Sequence, residues 1–251
     1  MSGHSKWSTI KHAKAATDAR RGKLFTKLTR EIIIAAREGG ADPDMNVRLR
    51  MAVQRAKDNN MPNDNVDRAI KRGTGDGEQD QMIEVTYEGY GPGGTAIMLE
   101  VLTDNRNRTV SDIRSTLTRA GGNLAQTGAV AWQFEQKGVL VVTADDDEAE
   151  ELQLLAIDAG AEDFESFDSI LQIFSPPDRL EEIRSSLSDK DAPIVSSELS
   201  LIPTTTVALD EKVAVQALRL LDQLEELDDV QRVYSNADFP DEVLQQYSAE
   251  N

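Results

Sequence analysis

Cysteine is absent from the 251 residues, histidine occurs twice, and aromatic residues make up 5% of the chain. Without cysteine there is no disulfide, thiolate nucleophile or thiolate metal site, which is typical of proteins in a reducing compartment. The two histidines, His4 and His12, do not have a metal-ligand spacing. No Ser-His-Asp or paired-carboxylate arrangement can be assembled around them. We therefore expect no metal, no cofactor and no enzymatic activity.

Long apolar runs are also missing. No segment approaches the roughly 20 apolar residues that a membrane span requires. Met1 is followed by polar and basic residues rather than by the apolar stretch of a secretory signal. The composition, 39% hydrophobic and 29% charged, is that of a globular protein that can bury a core. We expect a cytoplasmic protein.

The chain carries a net charge of −18. Basic residues are scarce in most of it but frequent at its start. Residues 1–75 hold 16 basic and 8 acidic residues, whereas residues 76–251 hold 11 basic and 37 acidic ones. Such asymmetry indicates a polyanionic partner for the basic part. The overall acidity does not argue against nucleic acid, because charges within about 10 Å set the local field at physiological salt.

The basic part, residues 1–75, is predicted to be a helical domain. Between Lys23 and Arg37 the apolar residues recur at helical spacing. A basic stripe of Lys23, Lys27, Arg30 and Arg37 is expected on the face opposite the packed one. Asp42-Pro43 indicates the start of a second helix, and Pro62 the start of a third. Three short helices would form a small bundle with a basic outer face.

The remainder is predicted to be α+β, beginning after a Gly- and Asp-rich linker at 73–81. We expect strands at 82–90 and 95–103, a helix at 107–120 and a strand at 129–135. A second series follows with strand 138–144, helix 146–159, strands 162–166 and 169–175, helix 177–188 and strand 193–201. Strand 204–209, helix 211–226 and strand 230–235 complete the pattern.

The second series has the βαββαβ order of a ferredoxin-like unit. The segments on either side of this series, 95–135 and 204–235, give the same βαββαβ order when they are joined. Strand 82–90 is then an extra strand. The fold class is therefore α+β, with an N-terminal three-helix domain followed by two ferredoxin-like domains, one inserted in the other. Their predicted ranges are 82–136 plus 202–240 for the outer domain and 137–201 for the inserted one. The inserted domain is the part least suited to phosphate, since residues 138–201 hold 17 acidic and 3 basic residues.

Nucleic-acid contact is expected from the basic domain, because lysine and arginine neutralise phosphates and release condensed counterions. The candidate contacts are Lys6, Trp7, Lys11, His12, Lys14, Arg20, Arg21, Lys23, Lys27, Arg30, Arg48, Arg50, Arg55, Lys57, Arg68, Lys71, Arg72, Arg106 and Arg108. For Trp7, packing inside the protein is the favoured role and stacking on a base is the alternative.

The loop at 104–109 leaves three interpretations open. Its arginines, Arg106 and Arg108, could contact RNA, hold the helical domain through ion pairs, or simply flank an Asx-type helix cap. The YGPGGT segment lacks the ending of a phosphate-binding loop and lies between two strands, so we interpret it as a hairpin turn.

Four long motifs carry a resemblance to a known family: SGHSKWSTIKHAKAATDARRGKLFTKLTREI, NVRLRMAVQRAKDNNMPNDNVDRAIKRGTG, YEGYGPGGTAIMLEVLTDNRNRT and GGNLAQTGAVAWQF. The chain resembles the YebC/PmpR family over its whole length. One departure is Val47, where members commonly have proline. The resemblance implies a helical domain and two α+β domains. It also implies a regulator of gene expression: bacterial members are regarded as DNA-binding transcriptional regulators acting at promoters.

Relatives in the family include the mitochondrial translational activator of cytochrome c oxidase, and bacterial members are linked to relief of ribosome stalling at proline-rich stretches. Promoter DNA and ribosomal RNA both remain open as partners, because phosphates of DNA and RNA look alike to lysine. A third class, a scaffold whose acidic domains bind basic proteins, also remains open.

Overall fold

The computed structural model describes residues 7, 18–75, 82–167 and 169–250. Its first unit contains three helices, α1 (Asp18–Gly39), α2 (Val47–Asp58) and α3 (Asn63–Thr74). They share one apolar core, to which α1 contributes Leu28 and Ile32, α2 contributes Leu49 and Ala52, and α3 contributes Val66. The predicted three-helix domain is confirmed.

The start of α2 differs from the prediction, which placed it at Asp42-Pro43. The helix begins at Val47, and Asn46 is its N-cap, accepting a hydrogen bond from the Leu49 backbone N–H at 3.0 Å. The amide of Asn46 also donates to the backbone oxygens of Ala35 (2.7 Å) and Gly40 (2.9 Å), so this buried side chain fixes the angle between two helices. Val47, exposed at the first helical position, stands where proline is well tolerated.

After residue 82 the described chain alternates between strands and helices. The strands are β1 (Ile83–Tyr90), β2 (Ala96–Thr103), β3 (Asn123–Leu124), β4 (Phe134–Thr143), β5 (Asp163–Phe167), β6 (Ile170–Ser175), β7 (Ile194–Pro203), β8 (Val207–Ala208), β9 (Val230–Ser235) and β10 (Ala237–Asp238). The helices are α4 (Arg106–Arg119), α5 (Asp146–Asp158), α6 (Leu180–Ser188), α7 (Glu211–Glu225) and α8 (Asp241–Glu250).

Strands β4 to β7 form the inserted sheet, in the order β5–β6–β4–β7 with every neighbouring pair antiparallel. This is the strand order of the βαββαβ unit predicted for this part of the chain. Alternate residues of β4 and β6, such as Leu140 and Ile173, are buried against Ala156 of α5 and Ile183 of α6. The insertion of one α+β unit into another is thus confirmed.

The outer sheet has the order β3–β1–β2–β9, and three predictions about strands of the outer unit are wrong. Strand β1 lies between β3 and β2, so it is a central strand and not an extra one. Residues 131–133 form a 3-10 turn instead of a strand, and Phe134 already pairs with Pro203 in the inserted sheet. The segment 204–209 contributes only β8, which pairs with β10 in a separate parallel ribbon.

Helices α4 and α7 share one apolar core with the outer sheet, through Ile113 and Leu221 among others. The YGPGGT segment makes the predicted turn between β1 and β2. Gly93 and Gly94 there adopt φ values of +72° and +75°, a conformation that disfavours other residues.

Candidate nucleic-acid interface

Several predicted contacts cannot be placed on a surface. Lys6, Lys11, His12 and Lys14 lie outside the described residues, as does the side chain of Arg20. Trp7 is described and is fully buried in the core of the outer α+β unit, together with Tyr87 and Leu99. Its ring is therefore not available to stack on a base, and packing is its role.

Three predicted contacts on α1 bind the end of α7 instead of facing away from the protein. Lys23 pairs with the Glu226 carboxylate, Lys27 Nζ lies 2.6 Å from the Glu225 backbone oxygen, and Arg30 lies 2.6 Å from the Asp228 backbone oxygen. The last carbonyls of a helix lack intrahelical partners and carry partial negative charge, so cations are stabilised there. The prediction that this face of α1 lies opposite the packed surface is wrong.

Asp229 joins the helical unit to the loop before α4. Its carboxylate accepts hydrogen bonds from Arg108 at 2.8 Å and from the Thr109 hydroxyl at 2.7 Å, and Arg30 lies 3.3 Å from its other oxygen. Burial raises the pKa of Asp229, but these hydrogen bonds and the nearby arginines outweigh burial and hold the pKa below its ordinary value. The ion pair of Arg108 with Asp229 supports one of the three interpretations of the 104–109 loop, in which its arginines hold the helical domain through ion pairs.

The Asx-type cap is present in the same loop. Asn105 is the N-cap of α4, and its side chain accepts from the Arg108 backbone N–H at 3.1 Å. The capping and ion-pair interpretations are thus compatible, since they use different atoms of the loop.

A second ionic cluster lies where the three units meet. Glu31 of α1 pairs with Arg55 of α2 at 2.9 Å and with Arg232 of β9 at 3.1 Å. Both arginines also approach Glu198 of the inserted β7, at 3.2 Å for Arg55 and 3.6 Å for Arg232. Arg55 is therefore a structural residue here, although the sequence pattern made it a candidate contact.

Three more candidates have partners within the helical unit or at its edge. Arg48 pairs with Glu38 and, at 2.5 Å, with Glu84, while Arg50 donates to the Pro43 backbone oxygen at 3.1 Å. Arg68 donates to the Asp64 backbone oxygen at 3.0 Å.

The remaining candidates are exposed and have no carboxylate partner within the described parts of the chain: Arg21, Lys57, Lys71, Arg72 and Arg106. Arg37, on the last turn of α1, shares this property but was not among the predicted contacts. Its position on the basic stripe of α1 was the signal that could have included it.

Two of these free cations, Arg37 and Arg72, line one open cleft of about 630 Å³ between the helical unit and the outer α+β unit. The cleft is lined by Phe25, Arg30 and Arg37 of α1 and Arg72 of α3, with Asp104 and Asp229 on the other side. We call it the arginine cleft. Arg30 and Asp229 satisfy each other, so Arg37 and Arg72 supply the uncompensated positive charge.

Gly73 makes the approach of α1 and α3 beside the cleft possible. A Cβ atom at this position would lie 2.5 Å from the Ile33 backbone oxygen and 3.3 Å from the Arg37 backbone nitrogen. The absence of a side chain lets α3 lie directly against the last turns of α1. Arg72, the neighbouring residue, is thereby brought to the cleft that Arg37 lines.

Within the described residues, no helix combines the length and apolar composition needed to cross a membrane. The same residues contain no group of three or more His, Asp or Glu side chains arranged to hold a metal ion.

The fold and this surface define a class of protein: a basic three-helix domain joined to two nested, acidic α+β units. The chain belongs to the TACO1/YebC family. Residues 5–76 match the family model "TACO1/YebC protein N-terminal domain", and residues 82–237 match "TACO1/YebC second and third domain". The resemblance noted in the sequence is confirmed.

Individual relatives are similar in sequence to this chain over its full length. The chain is 53% identical over 250 residues to a "probable transcriptional regulatory protein" of Dehalococcoides mccartyi, covering 100% of both chains. It is 51% identical over 252 residues to a protein of the same description from Chloroflexus aggregans, covering 99% of this chain and 100% of that one. A crystal structure of a conserved hypothetical protein from Aquifex aeolicus matches with a TM-score of 0.84 and 47% identity, over 92% of this chain and 96% of that one.

Proposed function

We propose that this protein is a non-enzymatic, cytoplasmic regulator of gene expression that binds nucleic acid through its basic helical domain. Promoter DNA is the leading target. The observation that carries this proposal is the set of exposed arginines and lysines on the helical domain that have no carboxylate partner within the described residues. The name of the relatives, "probable transcriptional regulatory protein", supports the assignment to regulation.

The acidic α+β units contribute to this function by repelling phosphate. With 37 acidic and 11 basic residues after residue 75, the α+β units disfavour phosphate wherever they face it. Contact is then confined to the helical domain and the cleft beside it, which limits non-specific coating of nucleic acid.

A second candidate is a ribosome-associated translation factor that binds ribosomal RNA. The arginine cleft favours it, because Phe25 lies in the cleft beside the arginines and offers an aromatic surface to an unstacked base. Unstacked bases are common in the loops and bulges of folded RNA.

Crosslinking in cells, followed by sequencing of the bound nucleic acid, tests the proposal and separates the two candidates. The control is the double variant Arg37→Gln/Arg72→Gln, which removes two unpaired charges without touching the ion pairs between the units. Enrichment of promoter fragments over the control would support the transcriptional role, and enrichment of ribosomal RNA would support the second candidate. Equal recovery by the wild type and the control would exclude Arg37 and Arg72 from the binding surface, and recovery of no nucleic acid by the wild type would contradict the proposed function.

A further inference from the structure

The arginine cleft has a composition that phosphate binding alone does not require. Beside Arg37 and Arg72 its wall contains the partly buried Phe25 and Met82 and the buried Leu102. A surface that binds only the backbone of a duplex needs cations but no apolar part. An apolar floor inside a recess indicates a ligand that has a flat apolar part as well as a negative charge.

The geometry points to an unpaired nucleotide as the ligand of this cleft: its phosphate binds Arg37 and Arg72, and its base packs on the apolar floor near Phe25. The inference rests on the proposed function and favours its second candidate, ribosomal RNA, because promoter DNA offers an unpaired base only where its duplex is opened. RNA and single-stranded DNA share the required chemistry.

The volume of the cleft agrees with such a ligand. At about 630 Å³, it lies within the range of roughly 300–1,000 Å³ that is usual for small-ligand sites. A base held in a duplex is stacked between its neighbours and cannot enter a recess between two domains. The nucleotide must therefore be extruded or come from a single strand.

Arg21 lies one turn before Phe25 on α1 and is not among the residues that line the cleft. Its guanidinium carbon lies 5.4 Å from the centre of the Phe25 ring. Guanidinium planes and aromatic rings are the two surfaces on which proteins stack unpaired bases. Arg21 and Phe25 together thus offer a stacking surface at the end of the cleft away from Arg37.

The opposite wall supplies an acceptor. Asp104 lines the cleft, is exposed, and accepts a hydrogen bond from Arg108 at 2.8 Å, which leaves its carboxylate able to accept further bonds. An exocyclic amino group of a base, or a ribose hydroxyl, is a donor of the kind that this position fits.

Binding of short labelled oligonucleotides to the full-length protein, followed by fluorescence anisotropy, tests the inference. Three probes of one sequence are compared: single-stranded RNA, single-stranded DNA and the blunt DNA duplex. We expect both single strands to bind more tightly than the duplex. Arg37→Gln and Arg72→Gln should each weaken single-strand binding about tenfold or more, since each removes a charge-assisted hydrogen bond.

Two further variants separate the cleft from general electrostatics. Thr26→Leu narrows the cleft from an exposed position on α1 without changing charge or adding an aromatic ring, and it should weaken single-strand binding about fivefold. Arg114→Gln, on the exposed side of α4 and away from the cleft, removes one charge and should change binding by less than about twofold. Circular dichroism of every variant checks the fold.

Photocrosslinking with thiouridine-containing RNA gives a result that does not depend on any variant. We expect the crosslinked peptides to contain Phe25 or Met82. Equal affinity for duplex and single strand, undiminished binding by Thr26→Leu, or crosslinks confined to other regions would overturn the cleft assignment while the proposed function stands. If none of the three probes binds, both the cleft assignment and the proposed function are wrong.

Discussion

The two tryptophans of this protein occupy opposite environments. Trp7 is fully buried among the residues of the outer α+β core, although it belongs to the basic N-terminal part of the sequence. Trp132 is 72% exposed on the 3-10 turn before β4, with its indole N–H donating to the Ala129 backbone oxygen at 3.1 Å. The first ring stabilises the fold by packing, whereas the second contributes little to it.

Replacing each tryptophan by alanine tests this difference. Trp7→Ala should lower the free energy of unfolding by about 3–5 kcal/mol, because it leaves a cavity in a packed core. Trp132→Ala should change it by no more than about 0.5 kcal/mol, as is usual for an exposed side chain. Urea unfolding followed by far-ultraviolet circular dichroism measures both, and equal losses would show that Trp7 does not pack as described.

Glu88 is a residue whose role the sequence did not reveal. Its buried carboxylate accepts hydrogen bonds from the backbone N–H groups of Gly128 at 2.6 Å, Val130 at 2.7 Å and Ala131 at 3.0 Å. Burial raises the pKa of Glu88, but these three bonds outweigh it and lower the pKa overall. The carboxylate therefore holds the loop that presents Trp132.

Among the elements, the contact between α1 and α3 is the one on which the arginine cleft depends. It relies on Gly73, where a Cβ atom would lie 2.5 Å from the Ile33 backbone oxygen and 2.7 Å from the Ala36 Cβ. Backbone atoms cannot move aside as a flexible side chain can. Any side chain at this position must push the two helices apart.

Two glycine-to-alanine substitutions in the same helical unit should have opposite signs. Gly73→Ala should destabilise the protein by about 1–3 kcal/mol through overpacking. Gly22→Ala, within α1, meets no atom within 4 Å and should stabilise it by about 0.5–1 kcal/mol, because alanine is the better helix former. Thermal unfolding of the two variants checks the signs, and stabilisation by Gly73→Ala would contradict the packing described.

At the level of elements, the sequence predicted the inserted unit well. Its helices and strands follow local periodicity, and α5 was expected at 146–159 and observed at Asp146–Asp158. The outer sheet was predicted less well, because its pairings join distant parts of the chain. Ile97 of β2 pairs with Ser235 of β9, on the far side of the whole inserted unit. Nothing in the local pattern of β1 indicates that it lies in the centre of the sheet.

The candidate site, like the fold, was predicted only in part. Charge counting identified the helical domain as the basic one, but it did not identify which cations are already paired. Arg30 binds the Asp228 oxygen and the Asp229 carboxylate, which are 198 and 199 residues away along the chain. Such partners are set by the packing of whole units, so the cations left free could be recognised only in the folded protein.

For the whole molecule, the partly buried ionic cluster around Glu31 is a contact that includes all three units. Burial raises the pKa of Glu31, but Arg55 and Arg232 outweigh it, so the pKa lies below its ordinary value. A lowered pKa in the folded state means that the contribution to stability is fully present above the unfolded pKa of about 4.3. That contribution is lost as the pH falls through the folded pKa.

Glu31→Gln should therefore destabilise the protein most at neutral pH. It leaves Arg55 and Arg232 without part of their counter-charge. Because these side chains are only partly buried, the cost should lie between the about 1 kcal/mol of an exposed pair and the about 3–5 kcal/mol of a fully buried one. The difference from the wild type should shrink as the pH is lowered below the unfolded pKa. Glu38→Gln, at the exposed partner of Arg48, is the control and should cost no more than about 1 kcal/mol. Urea unfolding over a pH series measures this, and a difference for Glu31→Gln that does not vary with pH would contradict the assignment.

The whole molecule also combines a basic binding surface with an acidic body, and the central claim is that Arg37 and Arg72 of this surface bind phosphates. The most direct test is the salt dependence of single-strand binding. Each neutralised phosphate contributes about 0.7 to the slope of log K against log salt, so Arg37→Gln/Arg72→Gln should have a slope shallower by about 1.4.

The matched control is Arg114→Gln/Arg119→Gln, which removes two exposed arginines from α4 and should leave the slope close to that of the wild type. A slope for the Arg37→Gln/Arg72→Gln protein equal to that of the wild type would contradict the claim that these two arginines bind phosphates.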